Sequence, residues 1–253
     1  MATEKHKLED FRIESLPDSM YYIPDFITSE EEQHILASLP SNRWTNLTHR
    51  RLQAHPSVLS NRSVLLDSAL PDWLSVPILS RFRDLGLFID SPHKTANHVL
   101  VNEYKPGEGI MPHEDGAAYH PIVATVSLGA SLVLDVYDKL SSSSSQRYPA
   151  PDFPEPQTQR TRPEPKWRIL QEPRSLLITT GAAYTDLLHG IAETRVDEDL
   201  TPQTVANWSL LGDAERIVDA GSCNVRRIRT SLTYRDVLKV SKIGSRILGK
   251  PRG

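Results

Sequence analysis

The chain has 253 residues, of which 38% are hydrophobic, and its formal net charge is −3. This length suits one large β-rich domain or two small ones, and the apolar content is enough for a core. Because the net charge is small, no global field would recruit nucleic acid, and such binding must rely on a local patch. The single cysteine, Cys223, excludes an internal disulfide and a thiolate metal site.

The polarity of the chain predicts where the protein works. Its first twenty residues are too polar for a signal peptide, and no apolar run approaches the ~18 residues of a membrane span. A lone cysteine suits a reducing compartment. We therefore expect a monomer of the cytoplasm and nucleus that does not enter a membrane.

The N-terminal part of the chain reads as a mixture of helix and strand. Residues 20–40 predict a short strand and then a helix that begins with a capping box at Ser29 and Glu32. The apolar stripe of this helix consists of Ile35, Leu36 and Leu39. A second helical segment is predicted at 71–88, where Pro77 should limit or kink its start.

From residue 97 onward, short β-branched runs alternate with turn residues. Seven such runs predict an antiparallel sandwich or jelly roll. They are NHVLVNEY, IVATVSLG, SLVLDVYD, WRILQEP, SLLITTG, TDLLHGI and RRIRTSLTY. The strand runs and the N-terminal elements thus predict a fold that is mainly β with flanking helices, in which an N-terminal α/β extension precedes the sandwich or jelly-roll core.

Two segments fall outside this pattern. Residues 141–165 are rich in serine and proline and predict a disordered insert between two strands. Residues 239–253 form a basic tail, which is most simply a solvated terminus. We divide the chain into an N-terminal extension (1–95), a β-rich domain (96–238) and the tail (239–253).

A possible metal site starts from the stretch MPHEDG. Side chains at i and i+2 point the same way from an extended chain, so His113 and Asp115 could reach one ion. His189 follows about 75 residues later in a predicted strand. Two histidines and one carboxylate form the facial triad of non-haem Fe(II) oxygenases, which leaves open positions for cosubstrate and oxygen.

Polar side chains on two predicted strands suggest a bound polar ligand. Asn102 and Tyr104 lie at i and i+2 of one strand, so both face the same side. In RTSLTYR the polar face carries arginines at both ends, whose planar forks match carboxylates. The residues of that face are Arg229, Ser231, Thr233 and Arg235, of which Arg229 is the stronger candidate.

The order Asn-x-Tyr, His-x-Asp, distant His and Arg-x5-Arg resembles the AlkB family of Fe(II)/2-oxoglutarate dioxygenases over residues 98–236. Within that family the likeness is strongest to the subfamily of AlkB homologue six. The resemblance implies a double-stranded β-helix of the jelly-roll type in which residues 96–238 are the dioxygenase domain, residues 1–95 cover the substrate, and His113, Asp115 and His189 bind iron. It also implies that 2-oxoglutarate binds to Asn102, Tyr104, Arg229, Ser231, Thr233 and Arg235.

The chain departs from the family pattern at two places. Ser231 stands where the arginine signature of the family has asparagine, which alters one hydrogen bond to 2-oxoglutarate. The stretch RRLQAHP at 50–56 lacks the aromatic–glycine pair that often follows this strand in relatives. The second departure concerns the substrate and not the chemistry.

The family resemblance makes oxidative demethylation of alkylated nucleic acid the first hypothesis for function. Local support comes from Trp44, Arg50 and Arg51, which would stack a base and bind phosphates of single-stranded DNA or RNA. The alternatives are a protein hydroxylase or demethylase, a zinc hydrolase and a binding module with a vestigial site. A zinc hydrolase would have no use for the Asn-x-Tyr and Arg-x5-Arg pairs.

Overall fold

The computed structural model describes residues 7–17, 19–139 and 164–242. The strands are β1 (Met20–Ile23), β2 (Thr45–Leu47), β3 (Arg50–His55), β4 (Leu65–Leu66), β5 (His98–Tyr104), β6 (Ile110–His113), β7 (Ile122–Leu128), β8 (Leu132–Asp138), β9 (Trp167–Gln171), β10 (Leu176–Thr180), β11 (Leu187–Ile191), β12 (Val196–Asp197), β13 (Asn224–Val225), β14 (Arg229–Arg235) and β15 (Val240–Ser241). The α-helices are α1 (Ser29–Ser38), α2 (Asp72–Ser75), α3 (Ile78–Asp84), α4 (Gly181–Asp186) and α5 (Ala214–Asp219). Three 3-10 helices occupy Leu8–Phe11, Ser41–Arg43 and Trp208–Leu210.

Two antiparallel sheets face each other as a jelly roll, which confirms the predicted fold class. The large sheet has the strand order β1, β10, β7, β14, β5, β3, β2, and the small sheet has the order β6, β11, β8, β9. All seven strand runs predicted from the sequence are present. The N-terminal strands β1, β2 and β3 extend the edges of the large sheet, so the N-terminal part is continuous with the catalytic fold.

Apolar side chains fill three layers. Between the two sheets, Tyr104 and Leu177 of the large sheet pack in one cluster with Leu134 and Ile169 of the small sheet. The outer face of the large sheet packs against α1, α2 and α3, and the outer face of the small sheet against 200–217. Both faces of the large sheet are therefore covered, and its central strand β14 is buried along its whole length although one of its faces is polar.

The first helix begins one residue earlier than the predicted capping box. Thr28 is the N-cap: its hydroxyl accepts from the Glu31 amide at 3.2 Å, and the Glu31 carboxylate accepts from the Thr28 amide at 2.8 Å. The prediction of Ser29 and Glu32 was therefore wrong by one position. Glu32 is buried instead, and its carboxylate accepts from the Gly129 amide at 2.7 Å. This tertiary contact favours the start of the helix at Thr28.

The predicted helical segment at 71–88 is two helices. Helix α2 ends at Ser75, and α3 begins directly after Pro77, as the lack of an amide hydrogen on proline requires. The predicted apolar positions Leu74 and Phe82 are buried against the large sheet. The helices therefore cover the face of that sheet which points away from the small sheet.

The two segments outside the strand pattern have different outcomes. The predicted disordered insert falls almost wholly outside the described residues, and so does the tail from residue 243. The start of the tail is ordered, however: β15 pairs in parallel with β4, with Val240 opposite Leu65. Within the described residues, no helix is both long enough and apolar enough to span a membrane.

Candidate active site

A cavity of about 310 Å³ lies between the two sheets. The large sheet lines it with the polar faces of β5 and β14, and the small sheet lines it with β6 and β11. The nine residues predicted for metal and cosubstrate all line this one cavity: His113, Asp115, His189, Asn102, Tyr104, Arg229, Ser231, Thr233 and Arg235. The jelly roll thus brings together four sequence segments that are up to 130 residues apart.

His113 and His189 are direct neighbours across the small sheet. They are paired residues of β6 and β11, and their ring centroids are 4.4 Å apart. The Nδ1 atom of His113 lies 2.9 Å from the Met111 carbonyl, which can only accept, so Nδ1 carries the proton and Nε2 keeps its lone pair. Burial lowers the pKa of His189 from 6.5 to about 4, so this ring is neutral at pH 7.

The pairing of β6 with β11 depends on a glycine. A Cβ atom on Gly109 would lie 2.4 Å from the Ile191 carbonyl oxygen, which no side chain tolerates. The register of the two strands shifts between His189 and Ile191, next to this contact. Gly109 therefore permits the close approach that holds the two histidine strands together.

Asp115 follows β6 and pairs with Arg235 at the end of β14. Both side chains are largely buried, and the guanidinium of Arg235 lies over the Tyr119 ring, 4.8 Å from its centroid. An isolated bridge joins Tyr119 to Val237 in the segment that follows Arg235. Over residues 7–17, 19–139 and 164–242, no three His, Cys, Asp or Glu side chains form a ready metal cluster.

The polar residues of β5 lie opposite the arginine strand. Tyr104 pairs with Arg229 and Asn102 with Ser231, so these side chains share the cavity face. The phenol of Tyr104 is buried, which raises its pKa and keeps it a hydrogen-bond donor at neutral pH. Asn102 and Tyr104 therefore lie on the cavity face of β5, from which they can reach a polar ligand bound to β14.

Arg229 stands at the other end of β14, and its partners are neutral. Its Nη2 donates to Ser127 Oγ at 2.9 Å and to Gln171 Oε1 at 3.0 Å, while its Nε is buried without a partner. Among the described residues no carboxylate pairs with it. No local pattern indicates Ser127 or Gln171 as site residues, because both reach Arg229 from other strands.

The hairpin of β2 and β3 separates the two arginines predicted to bind substrate. Arg50 lines the cavity and donates from Nε to Asn102 Oδ1 at 3.2 Å. Arg51 points to the opposite face, where it pairs with Glu103 at 2.7 Å and lies 4.3 Å from the centroid of Trp44. Successive residues of a strand face opposite sides, so Arg51 and its neighbour Trp44 lie on a different face of the sheet from Arg50, and their role in substrate binding stays a prediction.

Comparisons with known proteins agree with this arrangement. Residues 68–235 match the family model of the 2OG-Fe(II) oxygenase superfamily. The chain is 39% identical over 246 residues to the Danio rerio protein "Probable RNA/DNA demethylase ALKBH6", covering 96% of this chain and 95% of that protein.

A more distant relative and a solved structure extend the comparison. The chain is 25% identical over 244 residues to the Xenopus tropicalis tRNA (carboxymethyluridine(34)-5-O)-methyltransferase alkbh8, covering 92% of this chain but only 34% of that protein. The solved structure of OsALKBH1 is similar in fold, with a TM-score of 0.50 and 13% identity over 87% of this chain and 98% of that chain. On the family match and the ALKBH6 identity, the chain belongs to the 2OG-Fe(II) oxygenase superfamily and is an enzyme of the AlkB-like dioxygenase type.

Proposed function

We propose that this dioxygenase removes alkyl groups from nucleic acid by Fe(II)- and 2-oxoglutarate-dependent oxidation. The assignment of 2-oxoglutarate as cosubstrate rests on the buried Arg229. Its charge has no carboxylate partner among the described residues, and its Nε has no hydrogen-bond partner. A buried cation is costly unless an anion compensates it. A dicarboxylate that enters the cavity would supply that anion.

His113, His189 and Asp115 are the residues that would hold the iron. Their fit rests on the chemistry of the set: two adjacent imidazoles, of which His113 offers Nε2 and His189 is neutral, and a carboxylate in the same cavity. This donor set suits Fe(II). Arg235 would stay beside Asp115 and limit the movement of the carboxylate.

The residues of β14 and β5 would hold 2-oxoglutarate. We assign its distal carboxylate to Arg229, with Ser231 and Thr233 beside it on the cavity face of β14. Asn102 and Tyr104 would donate hydrogen bonds to 2-oxoglutarate, and Arg235 would lie near the end of 2-oxoglutarate that binds the metal. The unbonded Nε atom of Arg229 supports a ligand with a distal carboxylate.

When bound, iron and 2-oxoglutarate supply the oxidation of a substrate C–H bond by oxygen, with loss of carbon dioxide and release of succinate. Hydroxylation of an N-methyl group gives a product that collapses to formaldehyde and the free amine. The protein's own contribution is to orient these groups and to exclude water. The apolar layer beside the cavity, which includes Leu134 and Leu187, serves the second purpose.

The substrate assignment rests on Arg50 and on the similarity to the Danio rerio protein that is named a probable RNA/DNA demethylase. Arg50 lines the cavity, and its only recorded side-chain partner among the described residues is the neutral Asn102. A free cation at the cavity favours an anionic substrate, and a phosphate of single-stranded DNA or RNA fits that need. A hydroxylated or demethylated protein is the competing substrate.

A turnover assay separates these substrates. Succinate and formaldehyde would be measured with methylated single-stranded DNA, methylated RNA and methylated peptides, each with Fe(II), 2-oxoglutarate and oxygen. We expect formaldehyde only with an oligonucleotide. Formaldehyde or peptide hydroxylation with peptides alone would replace the nucleic-acid assignment with the protein one.

We also propose that the protein acts as a monomer in the cytoplasm and nucleus. Its small net charge and single cysteine support this location. Light scattering of the purified chain and imaging of a tagged chain in cells test the two statements separately.

A further inference from the structure

Arg229 is held by a small buried cluster that carries no negative charge. The cluster consists of Arg229 on β14, Ser127 on the adjacent strand β7 and Gln171 at the end of β9 in the small sheet. The side chains are 2%, 0% and 1% exposed, respectively. Gln171 therefore reaches the guanidinium from the opposite sheet of the jelly roll.

The hydrogen bonds of the cluster fix the direction of the guanidinium. Arg229 Nη2 donates to both Gln171 Oε1 and Ser127 Oγ, and the Ser127 hydroxyl lies 3.4 Å from the same amide oxygen. Because arginine has only donors, the amide oxygen of Gln171 must face it. Both acceptors bond to Nη2, so Nε and the positive charge of the guanidinium remain available for an anionic ligand.

The nearest acidic residue in sequence to Gln171 does not neutralise Arg229. The Glu172 carboxylate accepts from the Tyr22 hydroxyl at 2.8 Å and from the amides of Gly212 and Asp213 at 2.9 Å each. Burial lowers the pKa of Arg229 to about 10, so the group still carries its charge at pH 7. The fold thus keeps a charged, uncompensated arginine in its interior.

We propose that Gln171 is a positioning residue that selects the cosubstrate, because it aims the Arg229 guanidinium without neutralising it. A glutamate at position 171 would accept the Arg229 hydrogen bond equally well. Its carboxylate would, however, neutralise the positive charge that the distal carboxylate of 2-oxoglutarate needs. The choice of an amide over a carboxylate at 171 therefore decides between a self-paired arginine and a ligand-binding one. This inference rests on the proposed function, which supplies the cosubstrate.

The test compares two ligands in two proteins. 2-Oxobutyrate has the 2-oxo acid end of 2-oxoglutarate but no distal carboxylate, and binding of each to the Mn(II)-loaded protein is measured by titration calorimetry. In the wild type, 2-oxoglutarate should bind more tightly. In Gln171→Glu, its affinity should fall by roughly ten- to a hundredfold, the range for a hydrogen bond to a charged group, while 2-oxobutyrate is unchanged.

Two further variants separate positioning from a general loss of structure. Gln53→Glu is the matched control, since Gln53 is equally buried but faces the opposite side of the large sheet; it should leave the ligand preference intact. Gln171→Leu removes the acceptor without adding charge, and it should also reduce the preference for 2-oxoglutarate. Without ligand, Gln171→Glu should melt at a higher temperature than the wild type, whereas Gln171→Leu should melt lower.

The outcomes distinguish this inference from the proposed function. A wild type that binds 2-oxoglutarate, with the same preference in Gln171→Glu and Gln171→Leu, overturns the inference alone. A wild type that binds neither ligand in the presence of Mn(II) overturns the proposed function and the inference with it. Loss of the preference in both Gln171 variants, with Gln53→Glu unaffected, supports the positioning role.

Discussion

The two ends of β14 carry the same residue in different electrostatic settings. Arg235 is paired with Asp115 and covered by Tyr119, so its charge is compensated within the protein. Arg229 is at least as deeply buried, yet its hydrogen bonds go only to Ser127 and Gln171. One end of the strand is therefore electrostatically closed, and the other is open to an anion.

This difference shows how one strand can serve two components of a reaction. At the closed end, the arginine stabilises the position of an aspartate that is proposed as a metal ligand. At the open end, the protein tolerates an unpaired charge whose energetic cost a ligand can remove. Substitutions that neutralise Arg229 and substitutions that remove the ion-pair partner of Arg235 should therefore have separable effects.

The largest effect is expected from the proposed metal ligands. His113→Ala and Asp115→Ala should each abolish detectable Mn(II) binding and all turnover, a loss beyond the ~10–100-fold that removing an outer-sphere partner costs. Titration calorimetry with Mn(II) as an inert substitute for iron measures this. Glu114→Ala, which alters the exposed neighbour that pairs with Lys139, is the control and should bind Mn(II) normally.

The same two variants should differ in stability. Asp115→Ala leaves Arg235 buried without its ion-pair partner, whereas His113→Ala does not, so Asp115→Ala should melt at the lower temperature. Both should keep a folded far-UV circular dichroism spectrum, because the apolar layers do not depend on the site. Unchanged Mn(II) affinity in both variants would remove these residues from the metal site.

The next effect concerns the two arginines themselves. Arg229→Lys keeps a charge but loses the planar fork, and it should weaken 2-oxoglutarate binding by ~1.5–3 kcal/mol with little change in Mn(II) binding. Arg235→Lys should change 2-oxoglutarate binding less, because its partner is Asp115. If Arg235→Lys were damaging and Arg229→Lys silent, the roles of the two ends would be reversed.

A smaller effect should separate the neighbouring arginines of β3. Arg50→Ala should weaken binding of a labelled single-stranded oligonucleotide and reduce the slope of log affinity against log salt by about one. Arg51→Ala should leave that slope unchanged, because its side chain pairs with Glu103 on the other face. Equal slopes in both variants, or no binding by the wild type at low salt, would favour a protein substrate.

The smallest effect is expected from deleting residues 141–161. Strands β8 and β9 on either side of this segment pair directly, with Val136 opposite Trp167. Shortening this connection from 28 to 7 residues lowers the free-energy cost of closing it by only about 1.2 kcal/mol. The melting temperature should therefore be unchanged or slightly higher, and the uncoupled turnover of 2-oxoglutarate should stay within error of the wild type. A large fall in either would contradict the prediction that the insert adds no core.

The sequence predicted those parts of the site that obey a local periodicity. Asn102 with Tyr104, and Arg229 with Arg235, were placed on one face by the two-residue repeat of a strand, and the cavity contains both pairs. The same repeat should have separated Arg50 from Arg51, but their segment was not recognised as part of the main sheet. Its partner strand β5 follows about fifty residues later, and local pattern gives no sign of that pairing.

Features that depend on distant contacts were not predictable. Gln171 and Ser127 become partners of Arg229 only because two sheets close on each other, and neither belongs to a recognisable motif. The helix start was misplaced by one residue because Thr28 and Ser29 are both good N-cap residues. Burial of Glu32 against Gly129, a tertiary contact, favours the Thr28 start.

The position of β1 has a consequence for how the chain folds in time. Among the described residues, the strand partner of these four apolar or aromatic residues is β10, which follows roughly 150 positions later, while the other edge of β1 has a single bridge from Tyr21 to Arg12. At ~5–20 residues per second, a ribosome needs roughly ten to thirty seconds to produce that partner. During this interval the edge and apolar face of β1 are without their native cover, so the nascent chain should be a client of chaperones until the large sheet is complete.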